Sequence, residues 1–289
     1  MKPSVQEYFD KATWTLTYVV FDPSSKDAII IDPVMDYDPA SSMVAMKALE
    51  APTQFLKDKG LKLHFILETH AHADHLSGAQ ELKKRFPGAK TGIGRNITKV
   101  QEVFKGVFNL GSDFATDGRQ FDVLLTDSDP LRAGTLEIKT IFTPGHTPAC
   151  ATYVIGDAVF TGDALFMPDY GTGRCDFPAG SAEDLFDSVH SKIYELPDGY
   201  RVFTGHDYQP GGREVRFMAT IAEEKKSNVQ LKAGTKKEEF VRYRQARDAK
   251  LEAPRLLLPS VQVNIDGGKI PPPEKNGVSY LKIPVRFKA

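Results

Sequence analysis

The stretch Thr69-His70-Ala71-His72-Ala73-Asp74-His75 sets three imidazoles and one carboxylate in the order His-x-His-x-Asp-His. A lone His is usually a surface or core residue. Three with an Asp at this spacing form a ligand set for zinc, iron or manganese. In extended chain, residues two apart point the same way, so His70 and His72 can reach one ion. Asp74 and His75 fall where the chain turns, and can face that ion or a second one. The chain has seven His. His146 ends Thr140-Ile141-Phe142-Thr143-Pro144-Gly145-His146, and His206 ends Arg201-Val202-Phe203-Thr204-Gly205-His206. Asp163 ends Ala158-Val159-Phe160-Thr161-Gly162-Asp163. Each is an apolar run closed by a Thr, then a Gly, then a ligand type. Several strands therefore deliver ligands to one edge of a sheet. His64, in a strand-like run, and His190, in a helix-like run, read as structural.

The elements that position these residues follow from their flanks. Leu63–Leu67 is short and apolar enough for a buried strand. Gly78–Phe86 has helical spacing and stops before Pro87, so the His-rich motif sits on a strand-to-helix loop. Trp14–Phe21 and Ala28–Pro33, joined by a turn at Asp22–Asp27, predict an antiparallel hairpin. Ser42–Gly60 and Asn96–Lys105 predict helices, and residues 107–132 are mixed and turn-rich. Thr135–Phe142, Ala151–Ile155, Ala158–Thr161 and Arg201–Thr204 predict strands, with Gly156-Asp157 as a hairpin turn. Ser181 opens a helix through Tyr194, with a capping-box pattern at Ser181–Asp184. Gly212–Lys226 and Lys236–Leu251 predict charged amphipathic helices. From Pro254 a proline-rich tail is expected. We read residues 1–289 as a single domain with a C-terminal extension from about 210.

Hydrophobic content of 41% and charged content of 26% are ordinary for a globular enzyme. Lys+Arg total 37 against 38 Asp+Glu, a net charge of −1, which gives no bulk attraction to nucleic acid or anionic lipid. The N-terminal residues lack a signal-peptide core, and no apolar run is long enough to span a bilayer. Cys150 and Cys175 are the only cysteines and do not form a Cys-x-x-Cys pair. Both read as structural. A reducing, cytoplasmic setting is the expectation.

His-x-His-x-Asp-His, a distant His, an Asp at a strand end and a final His together resemble the metallo-β-lactamase superfamily. That resemblance implies an αββα sandwich, two mixed sheets between outer helices, with the metal at one edge. It implies one site of His70, His72 and His146 and a second of Asp74, His75 and His206, with Asp163 able to touch both. The superfamily holds many chemistries, so the fold does not give the function. The loop after Asp163 discriminates. Its Gly173-Arg174-Cys175-Asp176-Phe177, the helix Leu185–His190 and Gly205-His206-Asp207-Tyr208 are similar to the persulfide dioxygenases. Those enzymes oxidise glutathione persulfide with O2 and water to sulfite and glutathione, a step of sulfide detoxification. The nearest rival is a glyoxalase II-type hydroxyacylglutathione hydrolase with a dinuclear site, whose Gly-Gly-Cys-Gly pattern is absent here. Secreted β-lactamases are disfavoured by the absent signal peptide, and RNA-processing members by the lack of room for their inserted domain. A non-catalytic metal-binding protein is the remaining alternative, and a degenerate ligand set would be its mark.

The resemblance further implies that His70, His146 and Asp163 alone bind one Fe(II), a two-His, one-carboxylate face that leaves positions open for both substrates. His72, Asp74, His75 and His206 then orient and tune those ligands, or hold a second metal. Arg174 and Tyr208 match positions that contact substrate in the family, and an Arg offers a bidentate grip on a carboxylate of glutathione. The competing reading of Arg174 is a salt bridge to Asp169 or Asp176, and Arg213 and Lys225 are expected to face water. The expected partners are glutathione persulfide and O2, without nucleic acid or membrane. A homodimer is left open.

Overall fold

The computed structural model describes residues 2–285 and 287. Six strands form a first sheet in chain order: β1 (Ser4–Asp10), β2 (Thr15–Phe21), β3 (Asp27–Ile31), β4 (Lys62–Glu68), β5 (Lys90–Gly94) and β6 (Val123–Leu125). The first three pair antiparallel and β3 to β6 pair parallel. Parallel neighbours need crossovers. Helices α1 (Lys47–Asp58), α2 (Ala79–Arg85) and α3 (Ile97–Val107) lie in them. A second sheet repeats the chain-order rule: β7 (Leu131–Ala133), β8 (Leu136–Phe142), β9 (Ala151–Ile155), β10 (Ala158–Phe160), β11 (Arg201–Phe203) and β12 (Met218–Thr220). Its β10 and β11 are parallel, and the connection between them carries α4 (Ala182–Ser188). Then come α5 (Ile221–Ser227), α6 (Lys237–Asp248) and α7 (Leu257–Asn264).

Alternation along the strands builds the core. Leu16, Tyr18 and Val20 of β2, Ile29 and Ile31 of β3 and Phe65 and Leu67 of β4 face Leu136, Ile138, Tyr153, Ile155, Phe160 and Phe203 of the second sheet. Each large side chain buried there contributes about 1.5–3 kcal/mol. The outward residues Val19, Ile30 and Ile66 are covered by Leu49, Leu56 and Leu82 of α1 and α2. On the far side Val202 packs with Leu185 of α4, Ile221 of α5 and Phe240 of α6. The layers are helix, sheet, sheet, helix: the αββα sandwich. Among the described residues, no helix is long and apolar enough to cross a membrane.

Besides the short strand Met43–Ala45, which replaces the start of the helix expected over residues 42–60 and pairs with Val34–Asp38, three elements differ from expectation. The helix expected over residues 212–226 begins only at Ile221, and Met218–Thr220 is instead an edge strand paired with β11. Val215 and Phe217 pack against the inter-sheet core, so the run Glu214–Met218 follows a period of two. The expected helix from Ser181 to Tyr194 is α-helical only to Ser188 and closes with a π-turn over Val189–Ile193. Its predicted cap is formed on one side, the Asp184 amide donating to Ser181 Oγ at 3.0 Å. Third, the tail contains α7. Its Pro259 stands in the first helical turn, where a missing N–H breaks no intrahelical bond.

Candidate metal centre

Ligand-type residues come from the ends of four strands. β4 runs into Thr69-His70, β8 leads to His146, β10 to Asp163 and β11 to His206. The Thr-Gly-ligand pattern now has a cause. Thr161 Oγ1 donates to the Leu165 carbonyl at 2.8 Å, and Thr204 Oγ1 to that of His206 at 3.2 Å, which satisfies backbone where the ladder stops. Gly162 has φ +50°, and a Cβ there would lie 2.6 Å from Thr69 Oγ1. A Cβ at Gly205 would lie 2.9 Å from Asp163 Oδ1. Only glycine lets the two strand ends meet below the carboxylate.

The hydrogen bonds fix the imidazole tautomers. The Thr69 hydroxyl donates to Asp32 Oδ2 at 2.8 Å, so toward His70 Nδ1, at 3.0 Å, it accepts. His70 therefore carries its proton on Nδ1 and offers the Nε2 lone pair. His146 Nδ1 donates to the Arg174 carbonyl at 2.6 Å, and His206 Nδ1 to the Trp14 carbonyl at 3.2 Å. Both thereby turn a basic Nε2 inward, as metal-binding imidazoles do. Burial, helped by the neighbouring His72 and His146, holds the His70 pKa well below its ordinary value and keeps the ring neutral. Burial would raise Asp74, but His206 and His75 outweigh it and keep the carboxylate ionised.

His70 Nε2, His75 Nε2 and Asp163 Oδ1 are buried and have no hydrogen-bond partner among the described residues. Unpaired buried acceptors cost free energy, and a cation held by His70 and Asp163 would remove that cost for two of them. His70, His146 and Asp163 bring ligand atoms within 4.8 Å of one another, and so do His72, Asp74 and His75. His206 Nε2 stands between the groups, 3.4 Å from Asp163 Oδ1 and 3.6 Å from Asp74 Oδ2. His72 also belongs to a third cluster. Its Nε2 faces Asp32 Oδ1 at 3.0 Å and Glu68 Oε2 at 3.4 Å. Burial alone would lower His72, yet the two carboxylates lift its pKa well above the ordinary value. The two other His residues are structural: His64 Nε2 is 2.6 Å from Asp27, and His190 stacks on Phe186 at 4.1 Å.

A cavity of about 300 Å³ opens beside Asp74, His146, Asp163 and His206. Trp14, Phe166, Tyr170 and Tyr208 wall it. A larger hollow of about 650 Å³ lies around Asp127–Pro130, Lys139 and Tyr200, and no imidazole lines it. The ligand-type residues open into the smaller one. Tyr208 stacks on His206, ring centroids 5.5 Å apart, and is 36% exposed toward the cavity mouth. Arg174 lines the same space, but its guanidinium is engaged. Nε and Nη2 pair with the two oxygens of Asp176, and Nη1 donates to the Glu252 carbonyl at 2.7 Å. Its clearest link to the metal cluster is its own carbonyl, which holds His146. Arg213 bridges Asp169 and Asp207, and Lys225 pairs with Asp198, so neither enters the cavity.

The loop after Asp163 rests on a buried polar network. Arg244 pairs with Asp248, and Asp248 Oδ2 accepts from the Cys175 amide at 2.8 Å. Arg244 also reaches Gln230 Oε1 at 3.2 Å, while Gln230 Nε2 donates to the Tyr170 carbonyl at 2.7 Å. Asn228 accepts from the Gln230 and Leu231 amides and donates to Glu224 Oε2 at 2.9 Å. Burial pushes Glu224 up to about 8. A carboxyl raised from its unfolded value near 4.5 favours the fold below that value, and loses this contribution as pH climbs toward 8. Wild type should therefore weaken between pH 5 and pH 8, and Glu224→Gln should flatten that decline by on the order of 2 kcal/mol. Urea unfolding at both pH values checks this. Equal declines in the two proteins would refute it.

Sequence reasoning missed several residues here. Asp32 ends the apolar run Ala28–Ile31 just as the ligands end theirs, and takes the Thr69 amide at 2.7 Å. That position was a readable signal. Asn264 of α7 was not readable. Its Nδ2 donates to the His72 and His75 carbonyls, both at 2.8 Å, and its Oδ1 accepts from the Ser77 amide. Arg247 and Arg255, on the cavity wall, also escaped notice.

The fold, the ligand set at one sheet edge and the loop order define a class. A model of the metallo-beta-lactamase superfamily matches residues 15–206, and the chain belongs to that superfamily. Within it, the chain is 34% identical to the human mitochondrial persulfide dioxygenase ETHE1, over 82% of this chain and 79% of that one. The crystal structure of ETHE1 from Myxococcus xanthus matches with a TM-score of 0.73 and 31% identity, covering 92% of this chain and 100% of that one. A Dictyostelium discoideum protein named glyoxylase B2 is 46% identical over 99% of this chain and 98% of its own length.

Proposed function

We propose that this protein is a non-haem iron persulfide dioxygenase, in which His70, His146 and Asp163 hold one Fe(II). The reaction is glutathione persulfide + O2 + H2O → glutathione + sulfite + 2 H⁺. The terminal sulfur loses four electrons and O2 gains them. The observation that carries the reading is the seat of the loop Gly173–Phe177. It places the Arg174 carbonyl on His146 Nδ1, and its sequence is the persulfide dioxygenase-like segment. The likeness to ETHE1 proteins supports the same reading.

Bound Fe(II) supplies the one-electron reactivity that O2 requires and zinc lacks. The protein's residues do the rest. Thr69 and the Arg174 carbonyl keep His70 and His146 as Nδ1–H tautomers, so that neither ligand nitrogen is lost to a proton, and the Trp14 carbonyl holds His206 in the same tautomer. Phe166, buried, and Trp14 and Tyr208, at the mouth, give the reacting sulfur an aromatic wall. His72, Asp74, His75 and His206 orient the ligands from behind.

A dinuclear glutathione thioesterase is the second reading. The group His72, Asp74 and His75 and the relative named glyoxylase B2 favour it. One experiment separates the two. Protein made with added iron should take up O2 in proportion to glutathione persulfide, release sulfite, and hydrolyse a glutathione thioester poorly. Fast thioester hydrolysis without O2 uptake would transfer the protein to the hydrolases.

A further inference from the structure

The chain beyond α7 leaves the body as an arm. Leu281 packs with Met35, Leu76 and Val263, beside Tyr37 and Val44. Lys282 is fixed next to it. Its amide donates to Gln262 Oε1 at 2.9 Å, its carbonyl accepts from Gln262 Nε2 at 3.0 Å, and its Nζ donates to the Asn109 carbonyl at 3.0 Å. Past this anchor the apolar residues come two apart, Ile283, Val285 and Phe287, so in extended chain they continue the face of Leu281. Their exposure climbs with distance from the anchor, from 56% to 76% to 93%. Scattered exposed apolar residues are ordinary, but a run on one face marks an interaction surface. The stretch is also basic. From residue 269 on it carries Lys269, Lys275, Lys282, Arg286 and Lys288 against Glu274 alone.

A surface that suits such an arm lies on the same molecule. A groove of about 360 Å³ runs along the strands Val34–Asp38 and Met43–Ala45. Val34, Met35, Tyr37 and Met43 give it apolar walls, and Asp10, Asp36 and Asp38 outnumber its Arg255. Met35 and Tyr37 also belong to the cluster that holds Leu281, so the groove continues the surface on which the arm is anchored. Met43 is 65% exposed, and its strand is the outer one of a three-stranded sheet, with no partner on its other side among the described residues. An extended segment with alternating apolar side chains suits such an edge. The arm of the same chain does not fill the groove, because Ile283, Val285 and Phe287 stand exposed.

We propose that two copies of this chain exchange their arms. The apolar face of each arm enters the other copy's groove beside Met43–Ala45, and its basic charge meets the acids Asp10, Asp36 and Asp38 there. The contact is reciprocal, one arm and one groove from each copy, and closes as a two-fold dimer. The groove meets the metal-edge cavity at Ala12 and Thr13, so the other copy's arm also joins the surround of that cavity's mouth. None of this depends on which reaction the centre performs. It gives residues 281–287, outside the stretch 15–206 that the family model covers, a role in assembly.

The test uses the full chain. Light scattering after gel filtration should find wild type as a dimer of the 32.0 kDa chain. Raising NaCl from about 0.05 M to about 0.5 M should weaken the dimer, because part of the contact is between charges. Val285→Asp and Met43→Asp each put a charge into the apolar contact, and each should weaken dimerisation by about 10-fold or more. Both side chains are exposed in the single chain, so circular dichroism should match wild type, which separates lost association from misfolding. A second measurement fixes the geometry. Val285→Cys protein mixed with Met43→Cys protein and oxidised with diamide should form a disulfide-linked pair faster than either variant alone. Cys150 and Cys175 are buried and stay out of this reaction. A monomeric wild type overturns the inference. So does a dimer untouched by both Asp substitutions, or a mixture that cross-links no faster than its components.

Discussion

His70→Ala, His146→Ala and Asp163→Ala should each lose bound iron and O2 uptake together. Each removes an atom from the group whose members lie within 4.8 Å of one another, and leaves a face too poor in donors to hold a divalent ion. Asp74→Ala and His206→Ala should behave differently. His206 Nε2 lies 3.4 Å from Asp163 Oδ1, beside the group of His70, His146 and Asp163 and not one of its members. Losing such support costs on the order of 10–100-fold in affinity or activity while iron is still bound. Metal stoichiometry, together with an anomalous-scattering map at the iron edge, decides between one ion and two. Two ions per chain with His206 bonded to the second would sink the mononuclear assignment and favour the hydrolase.

Arg244→Met should destabilise the protein by about 3–5 kcal/mol. Arg244 is 1% exposed and Asp248 4%, so the lone carboxylate would stay buried without its counter-ion. Removing both charges with Arg244→Met/Asp248→Leu should recover much of the loss. A residue of about 1–3 kcal/mol remains, because the Cys175 amide then has no acceptor. Urea denaturation of the three proteins reads this out. A cost below about 1 kcal/mol for Arg244→Met would mean that the pair is hydrated and not a buried support.

The ligand types were legible because each closes an apolar run of its own strand, so local sequence carried both the element and the chemistry. The αββα layers were legible only through the family resemblance, while the apolar runs gave the separate strands and not their layering. Other features depend on partners far along the chain. Nothing near Asn264 announces that its amide will meet the loop of His72 and His75. For Arg174 the competing reading, a pair with Asp176, is what the structure shows, while the Glu252 carbonyl on its Nη1 lies too far along the chain to be read from sequence. The edge strand at Met218–Thr220 was hidden because the charged residues on either side of it, Arg213, Glu214 and Arg216 before and Glu223 to Lys226 after, mimic an amphipathic helix, and the packing of Val215 and Phe217 reveals the true period.

Asn264 also has a bearing on biosynthesis. It lies 192 residues after His72 and 189 after His75, whose carbonyls it holds. A ribosome releases the His70–His75 segment long before it has made α7. Until then those carbonyls face water, and the segment lacks the clamp that gives it its final shape. Contacts of such long separation close late. Assembly of the candidate centre is therefore expected only once α7 has been made, although its last ligand-type residue, His206, is translated well before.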